Sequence, residues 1–356
     1  MVVFFRSDAS LEMGAGHVMR CLTLAQALKE RGSSVRFICR KHKGNMIRKI
    51  RSRGFIVHEL DISNEDNVDD KLTHYRWLGA TQKKDAEDCA EVLKGRRPDW
   101  VIQDHYALDE EWQNALKPYY EKLMVIDDLA DRRHQCNILL DQTFGRREKD
   151  YSTLVSGYRK LLLGSQYALI MPEFLKWRPY SLARRTYPKF DQLFINMGGV
   201  DVDNVTEKVL DELIHCDLRS DLRVVIVLGA ENPHIEGVKL KAKALPCKAV
   251  VECDIDNMAE VMANSDIAIG AAGSTTWERC CLGLPTIQIV IAQNQAIIAQ
   301  NLAEFGAIKL LKNTSDMSRV IDNSASWMSS VSNISRHISD GLGVERVVGV
   351  LMSEEL

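Results

Sequence analysis

The hydrophobic positions follow two alternating periods from the first residues onward. Val2 to Phe5 form a short continuous apolar run, the pattern of a strand covered on both faces. From Val18 the apolar residues Val18, Leu22, Ala25 and Leu28 recur at helical spacing until Gly32 ends the helix. Further runs at 35–39, 55–60, 100–103, 123–127 and 138–141 predict strands, with helical segments between several of them. This alternation specifies an α/β domain on a parallel sheet, and polar strand ends at Gln103-Asp104-His105-Tyr106, Asp127-Asp128 and Asp141-Gln142 are expected to converge on one crevice.

The pattern breaks at residues 171–189, a proline-punctuated basic stretch with no clear period, read here as an interdomain linker. Strand and helix then alternate again. Runs at 190–197, 222–228, 249–253 and 267–270 lead into Gly198-Gly199, Gly229, the Asp254-Ile255-Asp256 turn and Gly273-Ser274, and a run at 285–291 precedes Asn294-Gln295. The expected organisation is an N-terminal Rossmann-like domain over residues 1–170 and a second over 190–356, facing each other across a cleft. The segment 331–352 is expected to be helical and to cross back onto the first domain.

Composition narrows the partner. The chain has 356 residues, 46% hydrophobic and 27% charged, with a formal net charge of -3, which gives no general electrostatic case for nucleic acid and leaves a small molecule as the expected partner. Nine cysteines without a C-x-x-C pair point to reduced thiols, and no apolar run approaches the ~20 residues of a membrane span, so a soluble cytoplasmic protein is expected. Oligomeric state is not legible. Basic clusters at Arg40-Lys41-His42-Lys43, Arg48 to Arg53, Arg146-Arg147 and Arg184-Arg185 read first as solvated faces.

Two glycine turns carry the candidate chemistry. Gly14-Ala15-Gly16-His17 places an imidazole between a strand and a helix, on the side where ligands sit in a strand-turn-helix unit. The partial positive charge of a helix start disfavours imidazolium, so His17 is placed to act as a general base; the plainer alternative is a histidine that caps or packs the helix. Position 19 is Met19, so Gly14-x-Gly16 is not a dinucleotide fingerprint. The second turn, Gly270 to Glu278, joins a strand to a helix opened by Ser274 and Thr275. Its backbone N–H groups over Ser274 to Thr276 suit a diphosphate, with Gly198-Gly199 approaching the same group, and Glu278 suits ribose hydroxyls; an ordinary N-cap and first-turn acid would look the same. No Walker lysine follows these glycines and no H-E-x-x-H pattern occurs, so neither a metal nor a cofactor is expected.

These motifs together resemble one family. The block from Arg6-Ser-Asp8 through Gly14-Ala-Gly16-His17-Val-Met-Arg20-Cys21 is similar to the N-terminal signature of the UDP-sugar hydrolases of pseudaminic acid biosynthesis. Those enzymes are relatives of the GT-B glycosyltransferase that adds N-acetylglucosamine in peptidoglycan synthesis. Matching blocks at Gln103 to Tyr106, Asp127 to Ala130, Asp141-Gln142, Tyr167 to Leu169, Gly198 to Asp201, Gly270 to Glu278 and Ala292 to Gln295 extend the resemblance over nearly the whole chain. It departs at Met13 and Met197.

The resemblance implies a GT-B fold and a UDP-linked diacetamido-trideoxy sugar as substrate, hydrolysed to free sugar and UDP. It implies that His17 is the base, that Tyr106 and Asn294 line the sugar site, and that the second domain binds UDP. Asp8, Gly14, Gly16, Arg20, Gly198, Gly199, Gly273, Ser274, Thr275, Glu278 and Gln295 are the expected substrate contacts. Water activated by His17 would attack the anomeric carbon opposite UDP and invert it. A metal-independent GT-B glycosyltransferase is the main rival: an acceptor hydroxyl would replace water, and Met46, Ile47 and Ile50 within the basic stretch could face a lipid acceptor. A catalytically silent nucleotide-sugar sensor is the third reading.

Overall fold

Seven parallel strands form the first sheet: β1 (Val2–Ser7), β2 (Ser34–Arg40), β3 (Ile56–Leu60), β4 (Trp100–Asp104), β5 (Lys122–Ile126), β6 (Ile138–Asp141) and β7 (Lys160–Leu163). The computed structural model describes residues 1–63, 72–156 and 159–353. The sheet order is β3-β2-β1-β4-β5-β6-β7. The order in which strands are added reverses between β1 and β4, and a crevice opens at the carboxyl ends of such a pair. In register, Ser7 at the end of β1 lies opposite Asp104 at the end of β4. Successive β1 side chains explain the buried strand: Val3 and Phe5 enter one core and Phe4 the other, on opposite faces of the sheet.

The second sheet repeats the plan with β8 (Gln192–Asn196), β9 (Arg223–Leu228), β10 (Lys248–Cys253), β11 (Ile267–Ala271), β12 (Thr286–Ile289) and β13 (Lys309–Leu311), in the order β10-β9-β8-β11-β12-β13. Its reversal falls between β8 and β11, where Asn196 and Gly270 are paired. By compactness the chain divides into Met1–Leu169 with Gly343–Leu356, and Ile170–Leu342. Strands β7 and β13 carry no expectation from sequence; the three residues of β13 are too few to show a period.

Residues 171–189 are not an irregular linker. Pro172–Arg184 is a helix of the second unit. Pro172 stands in the first turn, where no N–H is required, and tertiary anchoring overrides the cost of Pro179 inside the helix. Phe174 and Ser181 are buried. Arg178 donates to Arg336 O at 2.9 Å and Ser339 O at 3.2 Å, and Arg185 donates to Ser265 O at 2.7 Å. The basic residues of this stretch thus complete the carbonyl ends of neighbouring segments, an arrangement that suits the negative end of a helix dipole.

The segment 331–352 is likewise not one helix but parts of two, Met328–Ser335 and Gly343–Leu351, separated by residues 336–342, within which Gly341 takes a φ of +84°. Val344, Val347, Val348 and Leu351 of the last helix recur at helical spacing and enter the core of the first unit, beside the helix Gly16–Glu30. No helix among the described residues is long and apolar enough to cross a membrane.

Candidate functional site

The turn after β1 leads directly into the helix Gly16–Glu30, so His17 is the second helical residue and Gly14 supplies the left-handed turn before it at φ +72°. A Cβ on Gly14 would meet nothing within 4 Å, so space is not what requires glycine there; the backbone conformation is. Because Ser7 and Asp104 are in register, this turn delivers His17 to the end of β4. His17 Nδ1 lies 2.6 Å from Asp104 Oδ1.

Asp104 is fully buried and also receives Arg20, which donates from Nε to Oδ2 at 2.6 Å and from Nη2 to Oδ1 at 2.7 Å. Burial opposes a charge on Asp104, but Arg20 and His17 outweigh it and hold the carboxyl well below the usual carboxylate range. An ionised Asp104 accepts the Nδ1 proton of His17. That fixes the tautomer and leaves Nε2 with its lone pair for an incoming proton. The Cys21 thiol adds a contact to Asp104 Oδ2 at 3.4 Å, and burial pushes that thiol up, so it stays protonated.

Arg20 is not free to bind substrate, contrary to the expectation from the signature. Its side chain is 5% exposed and is committed to Asp104 and to Asp128 Oδ2. Asp8 is also turned inward: Arg6 pairs with it at 2.7 Å, the Arg40 backbone N–H donates to it at 2.6 Å, and its side chain is wholly buried. His105 supports the same interior group, its Nε2 lying 3.5 Å from Asp8 Oδ2 while its Nδ1 accepts from the Ala107 N–H. The charges of the signature therefore build the floor of the site.

Tyr106 is 6% exposed and sits edge-on to His17, with ring centroids 4.5 Å apart and an interplanar angle of 85°. Its hydroxyl donates to Asp128 Oδ2 at 2.9 Å, and burial together with Asp128 raises its pKa well above the ordinary phenol range. Trp77 and His74, neither of which stands out in the sequence, complete the surround: Trp77 stacks on Tyr106 at 5.9 Å and lies 4.3 Å from His74. Asp128 is the other group that sequence reasoning left at the level of a polar strand end. Its neighbour Asp127 is a purely internal anchor for Arg132, Tyr151 and the backbone at Leu129 and Ala130.

The basic stretch Arg40 to Arg53 does not present an apolar face. Ile47 and Ile50 are buried and Met46 packs against the same core, while Arg40 is interior and bonded to Asp85. A lipid-facing role for these residues has no surface to act through.

In the second unit, Gly198 adopts φ +97° after β8, and a Cβ on Gly198 or Gly199 would meet nothing within 4 Å. Gly199 O accepts the Gly229 N–H at 2.9 Å, which ties the turn after β8 to the end of β9. Asp201 in the same block caps the helix Val205–Leu213 through the N–H groups of Val205 and Thr206, at 2.9 and 2.8 Å.

After β11, Gly273 is open on its Cβ side apart from Gln295 Nε2 at 4.0 Å, so Gln295 and Gly273 are neighbours. Ser274 makes no side-chain cap bond, because it is already helical in conformation before the helix Thr275–Cys281. The Thr276 N–H goes to Gly273 O at 3.0 Å, so it is not a free donor, and the Thr275 side chain accepts from Arg279 Nη1 through Oγ1 at 3.0 Å. Arg279 fills the space behind the turn; a Cβ on Gly270 would lie 2.4 Å from its Nη1, which is why glycine stands there, one residue before the end of the strand. Glu278 is half-buried, and desolvation pushes its carboxyl up to about 7 despite Arg279 beside it. Asn294 is exposed in the turn Gln293–Gln295.

Thus the first unit gathers His17 and Tyr106 with Arg20 behind them and leaves Gly14 and Gly16 in the turn, while Asp8 belongs to the interior. The second unit gathers Gly198 and Gly199 in one turn and Gly273, Ser274, Thr275, Glu278 and Gln295 around another, with Asn294 adjoining.

Two doubly wound parallel sheets of this kind define the GT-B class of fold, and comparison with solved structures agrees: MurG of Acinetobacter baumannii superposes with a TM-score of 0.70 over 98% of both chains, at 16% identity. Residues 193–328 match the glycosyltransferase family 28 C-terminal domain. Along its sequence the chain is 28% identical to the UDP-2,4-diacetamido-2,4,6-trideoxy-beta-L-altropyranose hydrolase of Campylobacter jejuni, over 86% of this chain and 97% of that enzyme. It is also 28% identical to a protein of Methanocaldococcus jannaschii over 83% of this chain, which spans only 56% of that relative's length. The chain is therefore similar, as its motifs indicated, to the UDP-sugar hydrolases of pseudaminic acid biosynthesis.

Proposed function

We propose that the chain is a UDP-sugar hydrolase that cleaves a UDP-linked 2,4-diacetamido-2,4,6-trideoxy hexose to UDP and the free sugar. The observation that carries this reading is the His17–Asp104 pair at the reversal point of the first sheet, 2.6 Å apart, with Nε2 of His17 left to receive a proton. In this reading the second unit holds UDP through the turns at Gly198-Gly199 and Gly273-Ser274, with Glu278 as acceptor for ribose hydroxyls. A water donates its proton to His17 Nε2 as its oxygen bonds to the anomeric carbon from the face opposite the diphosphate. The C1–O bond breaks, its electron pair leaves with UDP, and the anomeric configuration inverts. Asp104 stabilises the imidazolium formed in that step, and Arg20 holds Asp104 ionised and in place. UDP is a weak base, so no second protein acid is required. The similarity to the Campylobacter enzyme supports water as the nucleophile and the diacetamido sugar as the donor.

The match of residues 193–328 to a glycosyltransferase domain supports a second reading, in which His17 deprotonates an acceptor hydroxyl. Incubation with UDP-2,4-diacetamido-2,4,6-trideoxy-altropyranose, without acceptor, separates the two when UDP release and the anomeric proton of the product are followed by NMR. Prompt UDP with an initially inverted free sugar is the expected result. UDP binding without release overturns the hydrolase reading in favour of an acceptor-dependent transferase.

A further inference from the structure

The single turn Tyr75–Leu78 divides its two apolar side chains. Leu78 is 1% exposed and joins the core, whereas Trp77 stays half-buried and belongs to no core cluster among the described residues. Its indole is instead braced by the rings of the site. It lies 4.3 Å from His74, is stacked on Tyr106 at 5.9 Å and 25°, and meets the edge of His17 at 6.5 Å and 72°. Tyr106 is itself flanked by charge, since the Arg132 guanidinium lies over its ring, 5.7 Å from the centroid. Burial lowers the His74 pKa below the ordinary imidazole range, so the bracing ring is uncharged at neutral pH.

The indole N–H of Trp77 is uncommitted. Trp112 Nε1 donates to Asp85 at 2.9 Å and Trp327 Nε1 to Val320 O at 2.9 Å, whereas Trp77 Nε1, like those of the buried Trp100 and Trp277, has no partner among the described residues; what sets Trp77 apart is its place beside His17. A large ring that leaves both apolar area and a donor uncommitted beside a candidate base is suited to an amphipathic ligand.

We propose that Trp77, braced by His74 and Tyr106, is a sugar-stacking residue that selects hexoses with an apolar, methyl-bearing face and an amide carbonyl for the indole N–H. This rests on the reading of His17 as the base acting on a bound sugar. Deoxygenation and N-acetylation replace hydroxyls with methyl groups and amides, so such a sugar offers the ring more apolar area than a fully hydroxylated hexose.

The test compares wild type, Trp77→Phe and Trp77→Ala on UDP-2,4-diacetamido-2,4,6-trideoxy-altropyranose, with UDP affinity measured by calorimetry. Trp77→Ala is expected to lower kcat/KM about tenfold, the scale of one aromatic contact. Trp77→Phe should recover only part of it, since the phenyl ring keeps stacking area but not the N–H donor, and UDP affinity should be unchanged. Wild-type kcat/KM in Trp77→Ala, or a parallel loss of UDP affinity, overturns the proposal while leaving the hydrolase reading intact. If wild type releases no UDP, that reading fails, and the stacking site is then judged by saturation-transfer NMR with the free 2,4-diacetamido-2,4,6-trideoxy sugar. Transfer to its C6 and N-acetyl methyls that disappears in Trp77→Ala supports the site; no transfer to wild type, or equal transfer to both proteins, rejects it.

Discussion

His17 Nδ1 and Asp104 Oδ1 lie 2.6 Å apart although 87 positions separate them in the chain, because β1 and β4 are neighbours in the sheet and Ser7 is in register with Asp104. The pair divides the imidazole into a nitrogen that is held and a nitrogen that can work. If that division is the source of activity, His17→Ala should remove nearly all turnover while UDP affinity is retained. Asp104→Asn should lower kcat by about 10²- to 10⁴-fold, since the amide no longer enforces the tautomer or stabilises imidazolium. Wild-type turnover in either variant, measured as UDP release, would remove that residue from the mechanism.

Glu278 gives a pH prediction of definite sign. Its carboxyl is pushed up to about 7, so it gains charge as pH rises through neutrality, and the ionised form is the better acceptor for a ribose diol. Uridine affinity should therefore rise between pH 6 and pH 8, and Glu278→Gln should bind more weakly with no such rise. Uridine is the probe because it carries no phosphate to titrate in the same range. A flat profile for wild type by calorimetry would take Glu278 out of the ribose site.

Much of the fold was legible because strands covered on both faces are continuous apolar runs and the helix after β1 keeps a clean period. The helix Pro172–Arg184 was hidden by its prolines, since what stabilises it is the docking of Arg178 and Arg185 on carbonyls far along the chain. Of the candidate site, the glycine turns and His17 are the parts that local spacing marks. Asp8 and Arg20 stand in the same signature yet face inward, because the Arg40 N–H that holds Asp8 and the Asp104 that holds Arg20 become their neighbours only through sheet pairing. Trp77 and His74 were invisible for the same reason: nothing local distinguishes a tryptophan that braces a histidine from one that fills a core.

The interior beneath the site supplies a stability prediction. Asp85 accepts from Arg6 Nε and Nη2, from Arg40 Nη2 and from Trp112 Nε1, all fully buried, and these partners overcome desolvation to hold its carboxyl at about 2. Asp85→Ala leaves two buried guanidinium groups short of a counter-charge and should cost about 3–5 kcal/mol in urea unfolding at pH 7. A carboxyl with a depressed pKa contributes stability that is present above its unfolded value and lost as pH falls through the folded one. The gap between wild type and variant should thus narrow below about pH 4, toward pH 2. A cost under about 1 kcal/mol at pH 7 would show that water replaces the carboxylate.

The two glycines Gly199 and Gly229 touch each other but answer different questions. A Cβ on Gly229 would lie 2.5 Å from Gly199 O and 2.9 Å from Gly199 Cα, contacts that backbone cannot relieve without moving the turn. Gly229→Ala should therefore destabilise the protein by about 1–3 kcal/mol, as overpacking does, and weaken UDP through the displaced turn. Gly199 has nothing within 4 Å of the corresponding point and no left-handed backbone, so Gly199→Ala is sterically free in the unliganded protein and its unfolding midpoint should not change. If diphosphate approaches the backbone there, the added methyl occupies the ligand's space and UDP affinity falls while stability holds. Unchanged affinity in Gly199→Ala, with a normal midpoint, would exclude close phosphate approach at this turn and move the phosphate contacts to the turn at Gly273.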